Sequence, residues 1–198
     1  MTLLALGASV GCVVDGGDDF DFGGTRVAQQ PANPYWGIDH CGGPLDQDSV
    51  WNGTVSRGFE LEDQFGREIS LSDFCGRSVL LMSAPAWSES ASAHQDDLQG
   101  LWLDWKVDGL VVVTLLTETV EGEEPDREAL EDWAQEHGAT HPVLADPAWG
   151  ASLNWLEEVP DSPRFHLLGK GLTPLFTGEQ TLDQGAVEAS LDLSQVIL

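Results

Sequence analysis

Two uninterrupted apolar runs dominate the middle of the chain. Residues 78–83 read Ser-Val-Leu-Leu-Met-Ser, and residues 110–116 read Leu-Val-Val-Val-Thr-Leu-Leu. A run without alternation is the pattern of a strand covered on both faces. Between them, over about 89–107, Leu98, Leu101, Trp102 and Trp105 fall at i, i+3, i+4 and i+7, one apolar stripe of a helix. Gly109 supplies its stop. Strand, helix, strand predicts a parallel pair joined by a right-handed crossover.

The flanking segments extend this pattern. Phe59-Glu60-Leu61-Glu62 alternates, Asp63 to Arg67 holds turn residues, and Ile69-Ser70-Leu71 alternates again, which predicts a short hairpin. A second helix is expected from Pro125, a residue suited to a first turn, through Leu130, Trp133, Ala134 and His137 to Gly138. Acidic residues in its first half suit the helix dipole. Residues 142–145 predict a short third strand and 149–156 a short helix. Residues 164–168 and 172–176 predict a hairpin around Gly169-Lys170-Gly171, and 184–192 a closing helix. Trp102, Trp105 and Trp133 are expected in the core, and His166 half-buried on its strand.

Composition narrows the function. The 198 residues hold 34 acidic against 8 basic side chains, a net charge of −26, with 41% hydrophobic content and eight Trp. The aromatics argue for a packed core. The charge argues against nucleic acid and against an anionic membrane surface, both of which need a basic footprint. The three cysteines, Cys12, Cys41 and Cys75, form no C-x-x-C pair, and the five histidines are scattered. Neither a metal site nor a cofactor is expected.

Residues 13–34 mix Asp15, Asp18, Asp19 and Asp21 with Gly and Pro, the composition of a flexible tether. Read as a calcium loop from Asp19, the third ligand position falls on Gly23, so calcium is not expected. Residues 35–57 form an irregular lead-in with Trp36, Cys41 and Trp51. Asn52-Gly53-Thr54 has the form of a glycosylation sequon. Leu3 to Gly11 is apolar and small and is followed by Cys12, which resembles the end of a bacterial lipoprotein signal with Cys12 as the lipid attachment. Ser9 stands where such signals usually carry Leu, and an ordinary N-terminal segment is the alternative. The expected division is therefore 1–12 signal remnant, 13–56 tether and lead-in, and 57–198 folded domain.

The order of elements, together with three stretches, resembles the thioredoxin-like superfamily. The likeness is to its redoxin branch of alkyl hydroperoxide reductase, thiol-specific antioxidant and membrane-anchored thiol:disulfide interchange proteins. Phe59 to Arg77 is similar to the opening hairpin of that branch and its step into the core strand. Val79 to Ala91, with Trp87 closing the apolar run, is similar to its strand and active-site turn, Trp-Cys-x-x-Cys. Val159 to Leu168 is similar to the loop that carries its cis-proline, with Pro163 in that position. The resemblance implies an α/β, thioredoxin-like fold over about 57–195. A central mixed sheet flanked by helices would carry an added N-terminal hairpin and a tether.

It also locates a departure. The positions of the dithiol hold Ser88 and Ala91, and no cysteine follows Cys75. A hydroxyl stays protonated at neutral pH and cannot exchange with a disulfide. Ser88 is better suited to capping a helix. A Ser88/Glu89/His94 nucleophile–base arrangement has no evident geometry at this spacing. A strand over 78–84 puts Cys75 about 20 Å from the active-site end at ~3.3 Å per residue. Cys41 can fold against that pole. In an exported protein such a pair is expected as a Cys41–Cys75 disulfide, two free thiols being the alternative.

The resulting expectation is an exported, lipid-anchored cell-envelope protein with a degenerate active site, serving as a binding or interaction module. An extended peptide would lie along the Trp87/Pro163 face, and the membrane would be met only through Cys12. The alternative is a redoxin-class oxidoreductase using Cys41 and Cys75 as a relocated redox pair.

Overall fold

The protein is described as a computed structural model covering Trp36 and residues 58–156, 159–160 and 162–192. The remaining residues lie outside the described part. They include the signal-like segment, the acidic tether, Cys12, Cys41 and the sequon.

A hairpin of β1 (Glu60–Glu62) and β2 (Glu68–Ser70) opens the domain as the alternation predicts, with Leu61 opposite Ile69. Asp63 holds its turn. Its carboxylate accepts the N–H groups of Phe65 and Arg67 at 2.7 and 2.9 Å and the Arg67 Nε–H at 2.8 Å. Trp36 closes over the same turn, 4.3 Å from the Arg67 guanidinium. A single-turn 3-10 helix over Leu71–Phe74, with Ser70 and Asp73 as a capping box, leads into β3.

The central sheet runs in the order β5-β4-β3-β6-β7. Strands β3 (Ser78–Ala84) and β4 (Leu110–Leu116) are parallel and buried at every position, as their unbroken apolar runs require. β5 (Val143–Ala145) extends the parallel part, while β6 (Arg164–Leu168) pairs antiparallel with β3, and β7 (Pro174–Glu179) with β6. The sheet is mixed, as expected. The hairpin covers its β5 edge: Gln64 bonds the His141 carbonyl and the Val143 N–H through its side chain, at 3.0 and 2.9 Å. An edge closed in this way offers no template for another chain.

The helix expected over 89–107 is broken into α1 (Glu89–Ala93) and α2 (Gln95–Trp105), followed by a 3-10 turn over Lys106–Asp108. His94 is the joint, closing α1 and opening α2. Its ring stands edge-on to Phe165 at 5.0 Å, so tertiary packing decides the break. Leu98, Leu101 and Trp102 are buried, whereas Trp105 is only partly buried against the core. Gly109 at φ 98° provides the left-handed step into β4.

α3 (Arg127–Glu136) starts two residues later than Pro125 suggests, because Asp126 caps it by accepting the Ala129 N–H at 3.0 Å. The helix expected over 149–156 is two 3-10 turns, Pro147–Trp149 and Ser152–Asn154, since Ala148 and Trp149 take positive φ. β7 begins at Pro174 rather than 172, and α4 (Gln184–Asp192) closes the fold against β3.

Candidate functional site at the carboxyl end of the sheet

Parallel strands β3, β4 and β5 deliver their following loops to one end of the sheet, and backbone bonds lace those loops together. Thr117 N–H donates to Ala84 O at 3.0 Å, Ala86 N–H to Glu118 O at 2.9 Å, and Asp146 N–H to Leu116 O at 2.8 Å. Pro163 precedes Arg164, which pairs with Ser83 near the end of β3, so the Pro163 loop meets the same end.

The turn after β3 is closed by a Ser88 N–H to Pro85 O bond of 3.1 Å. Trp87 stands at its corner, 45% exposed, and its Nε1–H donates to Glu118 Oε2 at 2.8 Å. Ser88 is the N-cap of α1. Its Oγ accepts the Ala91 N–H at 3.3 Å and lies 3.0 Å from Ser90 Oγ, and the residue is only 4% exposed. Ala91 is fully buried. His94, turned onto Phe165, is not among the partners of Ser88, so the Ser88/Glu89/His94 arrangement does not form a nucleophile–base pair.

Two expectations are corrected here. The Ser162–Pro163 bond is trans, as no peptide bond among the described residues is cis. Trans is the favoured isomer of an X–Pro bond by about 0.5–1 kcal/mol. In this arrangement Arg164 Nη1 donates to both Ser162 Oγ and the Pro163 carbonyl. Pro163 is moreover buried, which leaves Trp87 as the open member of the Trp87/Pro163 pair. His166 is fully rather than half buried. Its Nδ1 accepts the Gly178 N–H at 3.1 Å, and its ring lies 5.2 Å from Trp155. Burial, with a smaller contribution from the Arg164 charge, pushes its pKa down to about 3, so it is neutral.

Behind the loops lies a buried polar network that the sequence does not announce. The Asp146 carboxylate accepts the Ala151 N–H at 2.6 Å, the Ser152 N–H at 2.9 Å and the Ser152 hydroxyl. Ser152 Oγ is 2.8 Å from Ser83 Oγ. Ser152 has one proton and gives it to Asp146, so Ser83 donates to Ser152. Burial raises the Asp146 pKa, and these bonds oppose the rise. Ser83 and Ser152 are 69 positions apart, and the network's only local trace is an Asp before Pro147. A second network ties Thr114 Oγ1 to His141 Nε2 at 3.1 Å and His141 Nδ1 to Gln99 Oε1 at 3.2 Å. Gln99 Oε1 only accepts, so His141 carries its proton on Nδ1. Burial pushes its pKa down to about 3.

Cys75 lies before β3, at the far end of the sheet from Trp87, as the strand geometry requires. The Trp87 turn thus offers an exposed indole, a capped hydroxyl and buried alanine, with no thiol or other free nucleophile among the described residues there.

The fold is shared with solved thiol-disulfide proteins. A secreted thiol-disulfide isomerase from Corynebacterium glutamicum is 20% identical, with a TM-score of 0.60 over 77% of this chain and 99% of that one. The thioredoxin domain of a thiol-disulfide oxidoreductase from Bacteroides vulgatus is 18% identical, with a TM-score of 0.60 over 72% and 99%. A secreted disulfide oxidoreductase from Mycobacterium tuberculosis is 15% identical, with a TM-score of 0.54 over 68% and 95%. No curated protein matches the chain in sequence. The AhpC/TSA family matches residues 53–155, more than half of the sequence and the whole of the Trp87 turn, and the chain belongs to that family, with a thioredoxin-like fold.

Proposed function

We propose that this chain is a redoxin-family domain that has left thiol chemistry and acts as a binding module, exported and held at the bacterial cell envelope by lipid on Cys12. The observation that carries the reading is the Ser88 hydroxyl. At the position of the family's attacking thiol it accepts the Ala91 N–H as a helix cap, with a buried methyl at the partner position. A group used in this way neither ionises near neutral pH nor attacks a disulfide.

What remains at the site is the exposed indole of Trp87, a large rigid contact surface of the kind that anchors protein partners. Export is supported by the Leu3–Gly11 segment before Cys12 and by two similar structures described as secreted. A Cys41–Cys75 disulfide belongs to the same reading. Cys75 is disulfide-bonded, and an exported protein keeps such a bond as a staple.

The test is disulfide-reductase turnover of the full chain with dithiothreitol as recycling reductant, beside a Cys41→Ser/Cys75→Ser variant. Equal background rates are expected. A rate that disappears in the variant overturns the reading and makes Cys41 and Cys75 a redox pair. Labelling of the wild-type chain, but not of Cys12→Ser, by a fatty-acid precursor in a bacterial host is the expected result for the anchor.

A further inference from the structure

Trp87 and Glu118 stand 31 positions apart, on the loops that follow β3 and β4, and the fold joins them. The indole Nε1–H donates to Glu118 Oε2 at 2.8 Å. Trp87 is 45% exposed and Glu118 is half-buried, so this bond lies at the surface. Water serves the N–H of an exposed indole nearly as well, so the bond contributes orientation more than stability.

Both partners stand on fixed backbone. The Ser88 N–H donates to Pro85 O at 3.1 Å and closes the turn that carries Trp87. The Glu118 carbonyl accepts the Ala86 N–H at 2.9 Å, which ties the two loops together beside the side-chain bond. Beyond Glu118, Thr119 closes a tight turn. Its N–H donates to Glu123 O at 2.8 Å, and its Oγ1 accepts the N–H groups of Glu121 and Glu123 at 3.3 and 3.2 Å. Gly122, at φ 80°, takes the left-handed conformation inside that turn. Glu118 has no ion pair among the described residues, so no cation competes with the indole for its carboxylate. The tip of a side chain on one braced loop is thus pinned by a second braced loop.

We infer that Glu118 is a positioning residue, which holds the Trp87 indole in one outward orientation for a partner. The inference rests on the binding-module reading and adds two consequences to it. An indole that is already ordered loses little freedom on binding, an advantage of about two- to tenfold in affinity for one immobilised side chain. Its N–H is also already engaged. A partner therefore meets Trp87 with apolar groups on the ring faces, rather than with a hydrogen-bond acceptor aimed at Nε1.

The experiment is nitrogen-15 relaxation of the indole N–H groups in the full chain, with the Trp87 signal identified by its loss in Trp87→Phe. It is run on wild type, Glu118→Ala and Glu118→Gln. The wild-type Trp87 indole is expected to be as ordered as rigid backbone, with an order parameter of about 0.85, and to fall below about 0.6 in Glu118→Ala. Its N–H should also exchange with water faster in that variant. Glu118→Gln keeps an acceptor oxygen and should retain most of the order. The other indole signals and the melting temperature should be the same in all three, which separates positioning from loss of the fold.

A Trp87 indole equally ordered in Glu118→Ala overturns the inference, because another contact then holds the ring. Mobility in Glu118→Gln equal to that in Glu118→Ala overturns the hydrogen bond as the holding contact. A wild-type indole already below about 0.6 overturns it as well. None of these results touches the binding-module reading, which is decided by the disulfide-reductase assay without reference to the order of Trp87.

Discussion

Ser88 and Ala91, at the turn after β3, are joined by a hydrogen bond. The Ser88 hydroxyl receives the Ala91 N–H at 3.3 Å, and that contact starts α1. The hydroxyl is therefore spent on the backbone. Ser88→Ala removes the hydroxyl cap and leaves the Ala91 N–H only its backbone bond to the Ser88 carbonyl, at 3.0 Å. A loss of about 1 kcal/mol is expected in urea unfolding, the usual cost of an N-cap Ser→Ala change. No change is expected in any thiol-exchange assay.

The same geometry predicts that a dithiol can be built at this turn. Positions three apart at a helix start bring Cβ atoms to about 5–6 Å, close enough for a disulfide after a small adjustment. Ser88→Cys/Ala91→Cys is expected to form that bond on oxidation, seen as two thiols that become unreactive to alkylation. On reduction, the first thiol sits at a helix start, where local N–H groups lower its pKa. Insulin-reducing turnover above the wild-type background is expected. Failure of the two cysteines to pair would show that the turn does not hold these positions close enough for a disulfide.

Acid should weaken the fold through its buried imidazoles. His141 and His166 are fully buried, and each has its pKa pushed down from 6.5 to about 3. Above about 6.5 they are neutral in both states and cost nothing. Between 6.5 and 3 the unfolded chain binds protons that the folded chain refuses, so stability falls as pH falls. One such group contributes about 1.4 kcal/mol per pH unit in that window. Asp146, raised by burial, changes the other way, because its desolvation cost is relieved once it protonates. A comparison of wild type with His141→Gln isolates one imidazole from Asp146 and from the net charge of −26. Between pH 6.5 and 5 the variant should lose stability less steeply, by about 1.4 kcal/mol per unit, as read from urea titrations at each pH.

What was legible in the sequence follows from what is local. Unbroken apolar runs place β3 and β4, and the hairpin's alternation places β1 and β2, because burial on one or two faces writes itself into neighbouring residues. Ser88 as a cap was equally readable, since a cap and its amide are three residues apart. The break at His94 was not, because it depends on Phe165, and the burial of His166 depends on Trp155 and Gly178. The trans bond into Pro163 goes with contacts of Arg164 that no proline motif encodes.

The loop after β5 depends on one carboxylate. Ala148 and Trp149 both adopt positive φ, at 53° and 60°, and such residues cost of order 1–3 kcal/mol each unless the surroundings hold them. Asp146 does the holding, with two amides and one hydroxyl donating to it. Asp146→Asn relieves the cost of burying charge but exchanges an acceptor oxygen for an N–H₂ group that faces donors. With three donors aimed at the side chain, the lost acceptor outweighs the relieved charge, and a net loss of about 2–3 kcal/mol is expected. Ser83→Ala should cost less, about 1 kcal/mol, because it removes one donor to Ser152 and leaves the carboxylate satisfied. Hydrogen exchange gives the decisive readout. In Asp146→Asn the Ala151 and Ser152 amides should lose protection well beyond the global change, while the core amides of β3 and β4 follow the global change alone. Uniform loss across loop and core would show instead that Asp146 supports the whole sheet rather than this strained turn.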